Sequence, residues 1–213
     1  MRVVRVVTGV ARGARLELDL ANEKAYWLGH YEPEVQDYLR KHLAPGDVVY
    51  DIGAHHGFLS VCAARLGARV YAFEPVADNA RRIRRQAELN GLSIEVVEAA
   101  VWDSSAGIEL VRSDSSSEWH AEEGGGFPSL TLDEFAAEAP PPTLIKIDVE
   151  GAEGRVLRGA VALLERQAPT VLCEIHGDAT RSEVFALLAA YEIETVGAPE
   201  RIGASPRGRT IDT

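Results

Sequence analysis

Apolar positions along this chain gather into short runs set between helical stretches. The runs VVYDI (48–52), RVYAFEP (69–75), IEVVEAAV (94–101), TLIKIDV (143–149) and PTVLCEIH (169–176) predict buried strands. Between or after several of them, FLSVCAARLG, VADNARRIRRQAELNG, EGRVLRGAVALLERQ and RSEVFALLAAY carry helical patterns. Strands apolar on both faces, alternating with helices, predict a mostly parallel sheet covered on both sides. That is an α/β fold of Rossmann-like, doubly wound type.

Ahead of this alternation, VVRVVTGVARGARLELDL holds two β-rich runs around a Gly-containing turn and predicts a hairpin. EPEVQDYLRKHL then predicts a helix: Val35, Leu39 and Leu43 recur at helical spacing, Pro33 suits the first turn, and APGD stops it. Residues 1–45 are thus expected to form a hairpin and helix belonging to the same domain as residues 46–213. One connection breaks the rhythm. Residues 102–142 are rich in Ser, Gly, Glu and Pro, with GIELVR expected as an extra strand, LDEFAAEA as a short helix and SDSSSEWHAEEGGG as a mobile loop. A loop of this length serves either as a substrate lid or as a plain insertion.

Composition narrows the function classes. With 213 residues, 46% hydrophobic and 26% charged, the chain can bury a core as one globular domain. No apolar run approaches the roughly 18 to 20 residues of a membrane-spanning helix, and the first residues lack a signal-peptide pattern, so a soluble, cytoplasmic protein is expected. A net charge of -11 argues against a large nucleic-acid footprint, because phosphate binding relies on clustered Lys and Arg. Cys62 and Cys173 lie in apolar stretches as packing residues, with no disulfide expected. Oligomeric state is left open.

The first strand of the alternation ends at Asp51, followed by Gly53 and Gly57 and a helix opening near Phe58. Glycines there permit a tight turn and a close backbone approach to a ligand, beside the unpaired N–H groups of a helix start. A dinucleotide fingerprint would read G-x-G-x-x-G, but DIGAHHG has an acid in the first glycine's place and an extra residue between the later glycines. That carboxylate repels a pyrophosphate and suits a ligand carrying ammonium and sulfonium charges. Glu74 ends the next strand, 23 residues on, placed to accept two ribose hydroxyls. Together these features point to S-adenosylmethionine.

GHYEPEVQDYLRKHLAPGDVVYDIGAHHGFLSVCAARLGARVYAFEP, then SLTLDEF, LIKIDVEGAEGRVLRGA and VLCEIHG, resemble the FkbM-type methyltransferase family, in the right order over roughly residues 27–177. The resemblance implies a class I S-adenosylmethionine-dependent fold and O-methylation of a hydroxyl on a sugar or specialised metabolite. It also implies that Asp51, Gly53 and Gly57 form the cofactor loop with Ala54, His55 and Phe58 beside them. Glu74, next to Pro75, would hold the ribose, and Ala100 and Asp103 would lie near the adenine. His55 stands where the family more often has Asn.

Methyl transfer to oxygen is an in-line displacement helped by a base. Asp148 ends the fourth strand, with Glu150 following, and the fifth strand brings Glu174 and His176 to the same rim. Asp148, Glu150 and His176 are the candidate catalytic residues. His176 is the candidate general base, because an unperturbed pKa near ~6.5 accepts a proton at neutral pH. Glu153 is expected to favour a helix N-terminus. Tyr31, Glu32 and Glu174 are candidate substrate contacts, while Arg81, Arg82, Arg84 and Arg85 read as a solvated helix face. No metal is expected: H-x-x-x-H spacing does not occur, and adjacent histidines such as His55 and His56 tend to point apart. Two rival readings remain at this point, a binding module that has lost catalysis and a nicotinamide-dependent oxidoreductase.

Overall fold

The structure, a computed structural model, describes residues 1–112 and 119–208. At the N-terminus, β1 (Arg2–Arg5) and β2 (Arg15–Leu18) pair antiparallel as the sequence predicts. A short helix α1 (Lys24–Leu28) then leads into α2 (Pro33–His42), which starts on its proline and buries Val35, Tyr38 and Leu39. These three pack with Val6, Leu16 and Leu18 of the hairpin segment and with Val61 and Cys62. Each such buried side chain contributes about 1.5 to 3 kcal/mol. The N-terminal elements therefore share a core with the sheet-covering helix α3 (Phe58–Arg65).

Alternation of strand and helix follows. β3 (Val48–Ile52), α3, β4 (Arg69–Phe73), α4 (Ala77–Asn90) and β5 (Ile94–Val97) build one half of the sheet. β10 (Leu144–Ile147), α6 (Glu153–Arg158), α7 (Val161–Gln167), β11 (Thr170–Glu174), α8 (Asp178–Leu187), β12 (Tyr191–Val196) and β13 (Ala198–Pro206) build the other. Spatial order is β12, β13, β11, β10, β3, β4, β5. The five neighbouring strands β11, β10, β3, β4 and β5 are parallel, and β13 runs antiparallel to β11 and β12. Chain order reverses between β3 and β10, where a doubly wound sheet opens its ligand crevice.

Three local expectations change. The run IEVVEAAV is two strands: β5 stays in the sheet, while β6 (Ala100–Val101) leaves it to pair with β9 (Ser129–Leu130). EGRVLRGAVALLERQ is two helices, broken at Gly159, where a Cβ would stand 2.1 Å from the Trp102 carbonyl oxygen. The insertion holds the expected strand β7 (Ile108–Arg112) and helix α5 (Leu132–Glu138), the latter closed by a Thr131–Glu134 capping box. Part of the expected mobile loop is instead β8 (Trp119–Glu123), paired antiparallel with β7. Backbone pairing to an adjacent strand overrides its polar composition. Residues 113–118 of that expected loop lie outside the described residues. No helix among the described residues is long and apolar enough to cross a membrane.

Candidate active site

A cavity of about 430 Å³ opens at the carboxyl ends of β3, β4 and β10, a volume ordinary for a small-molecule site. Its lining includes Glu74, Pro75, Val76, Ala100, Trp102 and Ile108. Gly53, His55, Tyr31, Asp148 and Glu150 line it as well. The turn between β3 and α3 is shaped by backbone contact. Gly53 has φ +74°, and a Cβ there would lie 1.9 Å from the Asp148 carbonyl oxygen, so the turn and the end of β10 touch main chain to main chain. Gly53 and Ala54 both donate their N–H groups to the Phe73 carbonyl.

Glu74 sits where the sequence reading put it, nearly buried in the cavity wall. Its carboxylate accepts from the backbone N–H groups of His55 and Val76, both at 2.9 Å, and from Asn79 Nδ2 at 3.3 Å. Burial raises its carboxyl above the ordinary value despite these donors. Two oxygens offer about four acceptor positions, so this held carboxylate keeps capacity for a ligand hydroxyl.

Several other predicted residues are placed differently. Asp51 lies beneath the loop instead of facing the cavity: it is 2% exposed, accepts from Ser60 Oγ at 2.5 Å and pairs with Lys146 Nζ at 3.3 Å. Gly57 begins α3 against Ile83 and lines none of the cavities described here. Ala54 and Phe58 border a neighbouring space of about 30 Å³, with Tyr26 and Tyr31 packed on Phe58 at ring separations of 5.3 and 5.8 Å. Asp103 turns away from the cavity, because Arg155 and Arg158 each hold it at 3.0 Å. Burial alone would raise its carboxyl, but these two guanidinium partners outweigh that and hold it low. Trp102 faces the cavity in its place, with Arg155 over its ring at 5.3 Å.

The two histidines do not point apart; their rings stack at 3.5 Å. His55 borders the cavity, and burial lowers its pKa. His56 pairs with Glu23 at 2.9 Å, and burial with the adjacent His55 pushes it down to about 4. Glu23 also receives Arg82 at 2.8 Å, which ties the N-terminal segment to α4. The remaining arginines of that helix pair with Asp78, Glu98 and Glu88, in keeping with a solvated face.

At the rim, residues distant in sequence converge. Asp148 stands 3.5 Å from Lys146 Nζ, and Glu174 receives both Arg201 Nε at 3.0 Å and Nη2 at 2.6 Å. Glu32 approaches Arg201 at 3.3 Å, and burial raises its carboxyl above the usual range. His176 donates from Nδ1 to Glu153 at 2.8 Å and faces Glu150 through Nε2 at 3.5 Å. Glu153 opens α6, as expected of an acid at a helix N-terminus, and is also a fully buried anchor that accepts the Gly151 N–H at 2.9 Å. Its hydrogen bond, helped by the nearby carboxylates, raises His176 to about 9. The imidazole is then already protonated at neutral pH, so the expected role as general base does not hold in this structure.

Lys146 and Arg201, which border a small space beside the cavity together with Asp148, were missed by the sequence reading. The only trace of Lys146 was a lone cation inside an otherwise apolar strand, and Arg201 lies on a strand that periodicity did not predict. One ligand atom from each of Asp148, Glu150 and His176 falls within 4.8 Å of the others, and the same holds for Glu32, Asp148 and Glu174. The first set has a donor chemistry that fits a divalent cation, a grouping invisible to a search for H-x-x-x-H spacing. The second already has Lys146 and Arg201 as counter-charges. Four non-glycine residues with positive φ occur among the described residues, and Glu32, His55 and Glu150 of these border the site. Such strain concentrates where function requires it.

A family model described as Methyltransferase FkbM domain matches residues 51–194. The chain belongs to the FkbM methyltransferase family. It is 26% identical over 170 residues to the hexuronic acid methyltransferase AglP of Haloferax volcanii, covering 77% of this chain and 70% of that protein. Similarity to the 31-O-demethyl-FK506 methyltransferase FkbM of Streptomyces tacrolimicus is 27% over 211 residues, covering 78% of this chain and 81% of that one. Among solved structures, the methyltransferase FkbM from Methylobacillus flagellatus shares the fold with a TM-score of 0.56 at 18% identity. That match covers 76% of this chain, which spans 44% of the crystallised one. Family membership sets the chain among methyltransferases and away from nicotinamide oxidoreductases. Crystallised rRNA methyltransferases share the fold too, so fold alone does not separate small-molecule from RNA acceptors.

Proposed function

We propose that this protein uses S-adenosylmethionine to methylate an oxygen, most simply a hydroxyl, of a sugar or specialised metabolite. The observation that carries this reading is the cavity at the β3–β10 crevice, with Glu74, Asp148 and Glu150 in its wall. The nucleoside lies along Glu74: Ala100, Trp102 and Ile108 cover the adenine, and Glu74 accepts a ribose hydroxyl. A fold neighbour solved with AdoMet, the 16S rRNA methyltransferase RsmC of T. thermophilus, supports this assignment. The printed names of the two curated relatives, one acting on a hexuronic acid and one on a demethylated oxygen of FK506, support an oxygen acceptor on a small molecule.

The cofactor supplies a methyl group on a cationic sulfur. The chain's own residues hold and orient the two partners, and orientation of this kind lowers a barrier by on the order of 7 to 11 kcal/mol. Asp148 takes the acceptor's proton as the new bond forms. Protonated His176, anchored by Glu153, holds Glu150 toward the acceptor side. Isothermal titration with S-adenosylhomocysteine tests the cofactor assignment, and a wild-type protein that binds none removes it. Transfer of labelled methyl from S-adenosylmethionine to a panel of uronic acids and polyols then separates an enzyme from a binding module, which binds the cofactor but labels nothing.

A further inference from the structure

We infer that Lys146 is a positioning residue of the methyl-donor site, tying the cofactor loop to the Asp148 rim and limiting the negative field that the donor's sulfur meets. This rests on the proposed use of S-adenosylmethionine. Lys146 lies on β10 directly across from Asp51 on β3, at the point where chain order reverses. Its Nζ is enclosed by four oxygens: the Gly53 carbonyl at 3.0 Å, the Ile52 carbonyl at 3.5 Å, Asp51 Oδ1 at 3.3 Å and Asp148 Oδ2 at 3.5 Å. Its side chain is 9% exposed, and it borders the small spaces of about 30 and about 10 Å³ beside the main cavity without lining that cavity. It is placed to support ligands without touching them.

Two consequences follow from that enclosure. Mechanically, an ammonium bonded to the Ile52 and Gly53 carbonyls fixes the peptide planes of the loop and sets its distance from Asp148. Electrostatically, Asp51 and Asp148 without a counter-charge would hold a sulfonium most strongly in the ground state, where its charge is greatest. Positive charge leaves the sulfur on the way to the transition state, and binding that is stronger in the ground state slows the step. Burial opposes a charge on Lys146, but Asp51, Asp148 and Glu32 outweigh that and keep it protonated.

The test compares S-adenosylmethionine, cationic at sulfur, with S-adenosylhomocysteine, neutral there, by isothermal titration of the full chain. In Lys146→Met, homocysteine-form affinity is expected to fall about tenfold, while the affinity ratio shifts at least about fivefold toward S-adenosylmethionine. Lys146→Arg, which restores the charge, holds the ratio within about twofold of wild type. A merely loosened fold weakens both ligands together, so an unchanged ratio in folded Lys146→Met overturns the inference. Should that variant not fold, Asp51→Asn and Asp51→Asn/Lys146→Met carry the test. The single variant shifts the ratio toward S-adenosylhomocysteine, and the double, losing one charge of each sign, returns it to wild type; a double that stays at the single variant's ratio overturns the inference. Wild-type protein that binds neither ligand overturns the proposed function and this inference with it.

Discussion

The surroundings of Glu74 and those of Asp148 are built on different principles. In the part assigned by our proposal to the nucleoside, a single carboxylate, Glu74, is oriented by three donors, two of them backbone N–H groups. Around Asp148, the carboxylates of Glu32, Asp148 and Glu174, from the α2 entry, the residue after β10, and β11, are held by long cationic side chains from β10 and β13. The first arrangement is local and rigid, so it suits an invariant ligand. The second is a balance of charges from far-apart segments, so one change there redistributes the field felt by every group around it.

Breaking the backbone contact between the β3–α3 turn and the end of β10 has the largest expected effect. Gly53→Ala forces a Cβ onto the Asp148 carbonyl at an unfavourable φ, and urea unfolding should show a loss of roughly 3 kcal/mol together with loss of cofactor binding. Glu74→Ala leaves the fold but removes a charged acceptor, weakening S-adenosylhomocysteine by about 2 kcal/mol, roughly thirtyfold, in titration calorimetry. A loss below about threefold would remove Glu74 from the nucleoside's contacts.

pH sharpens the contrast at the rim. His176 is raised in the folded protein to about 9 from an ordinary 6.5, so its pairing with Glu153 contributes stability fully below about pH 6.5 and loses it as pH rises through about 9. Denaturant midpoints should therefore fall between those pH values in wild type and lose that slope in His176→Asn. NMR titration should place the imidazole midpoint well above 6.5 and return it toward that value in Glu153→Gln. Asp103→Asn provides the control beyond the cavity. It should cost about 1 kcal/mol of stability through Arg155 and Arg158 and leave cofactor affinity within about twofold. The smallest effect is expected at the solvated face, where Arg84→Gln should change stability by less than about 0.5 kcal/mol in thermal unfolding.

The same contrast explains what could be read from residues in order. The turn after β3, Glu74 at the end of β4 and the strand that delivers Asp148 each lie within a few residues of the pattern that announces them, so periodicity and turn chemistry located them. Asp51 and Asp103 were located, but their cationic partners were not. An acid at a strand end looks the same whether it faces a cavity or a neighbouring cation, and the choice was made by Lys146 in one case and by Arg155 and Arg158 in the other. His176 ends up beside Glu150, and its protonation depends on Glu153, which turns inward to meet it.

By itself the sequence determined the alternating strands and helices, the parallel core of the sheet, the glycine turn and the acid that ends the second strand. These depend on side-chain period and local backbone freedom, which a linear chain carries in full. Tertiary structure decided which carboxylates face the cavity, which are neutralised by Lys146 and Arg201, and where a proton rests. Each of those outcomes depends on distances between residues tens to more than a hundred positions apart, such as Glu32 and Arg201, and Coulomb energy follows distance in space.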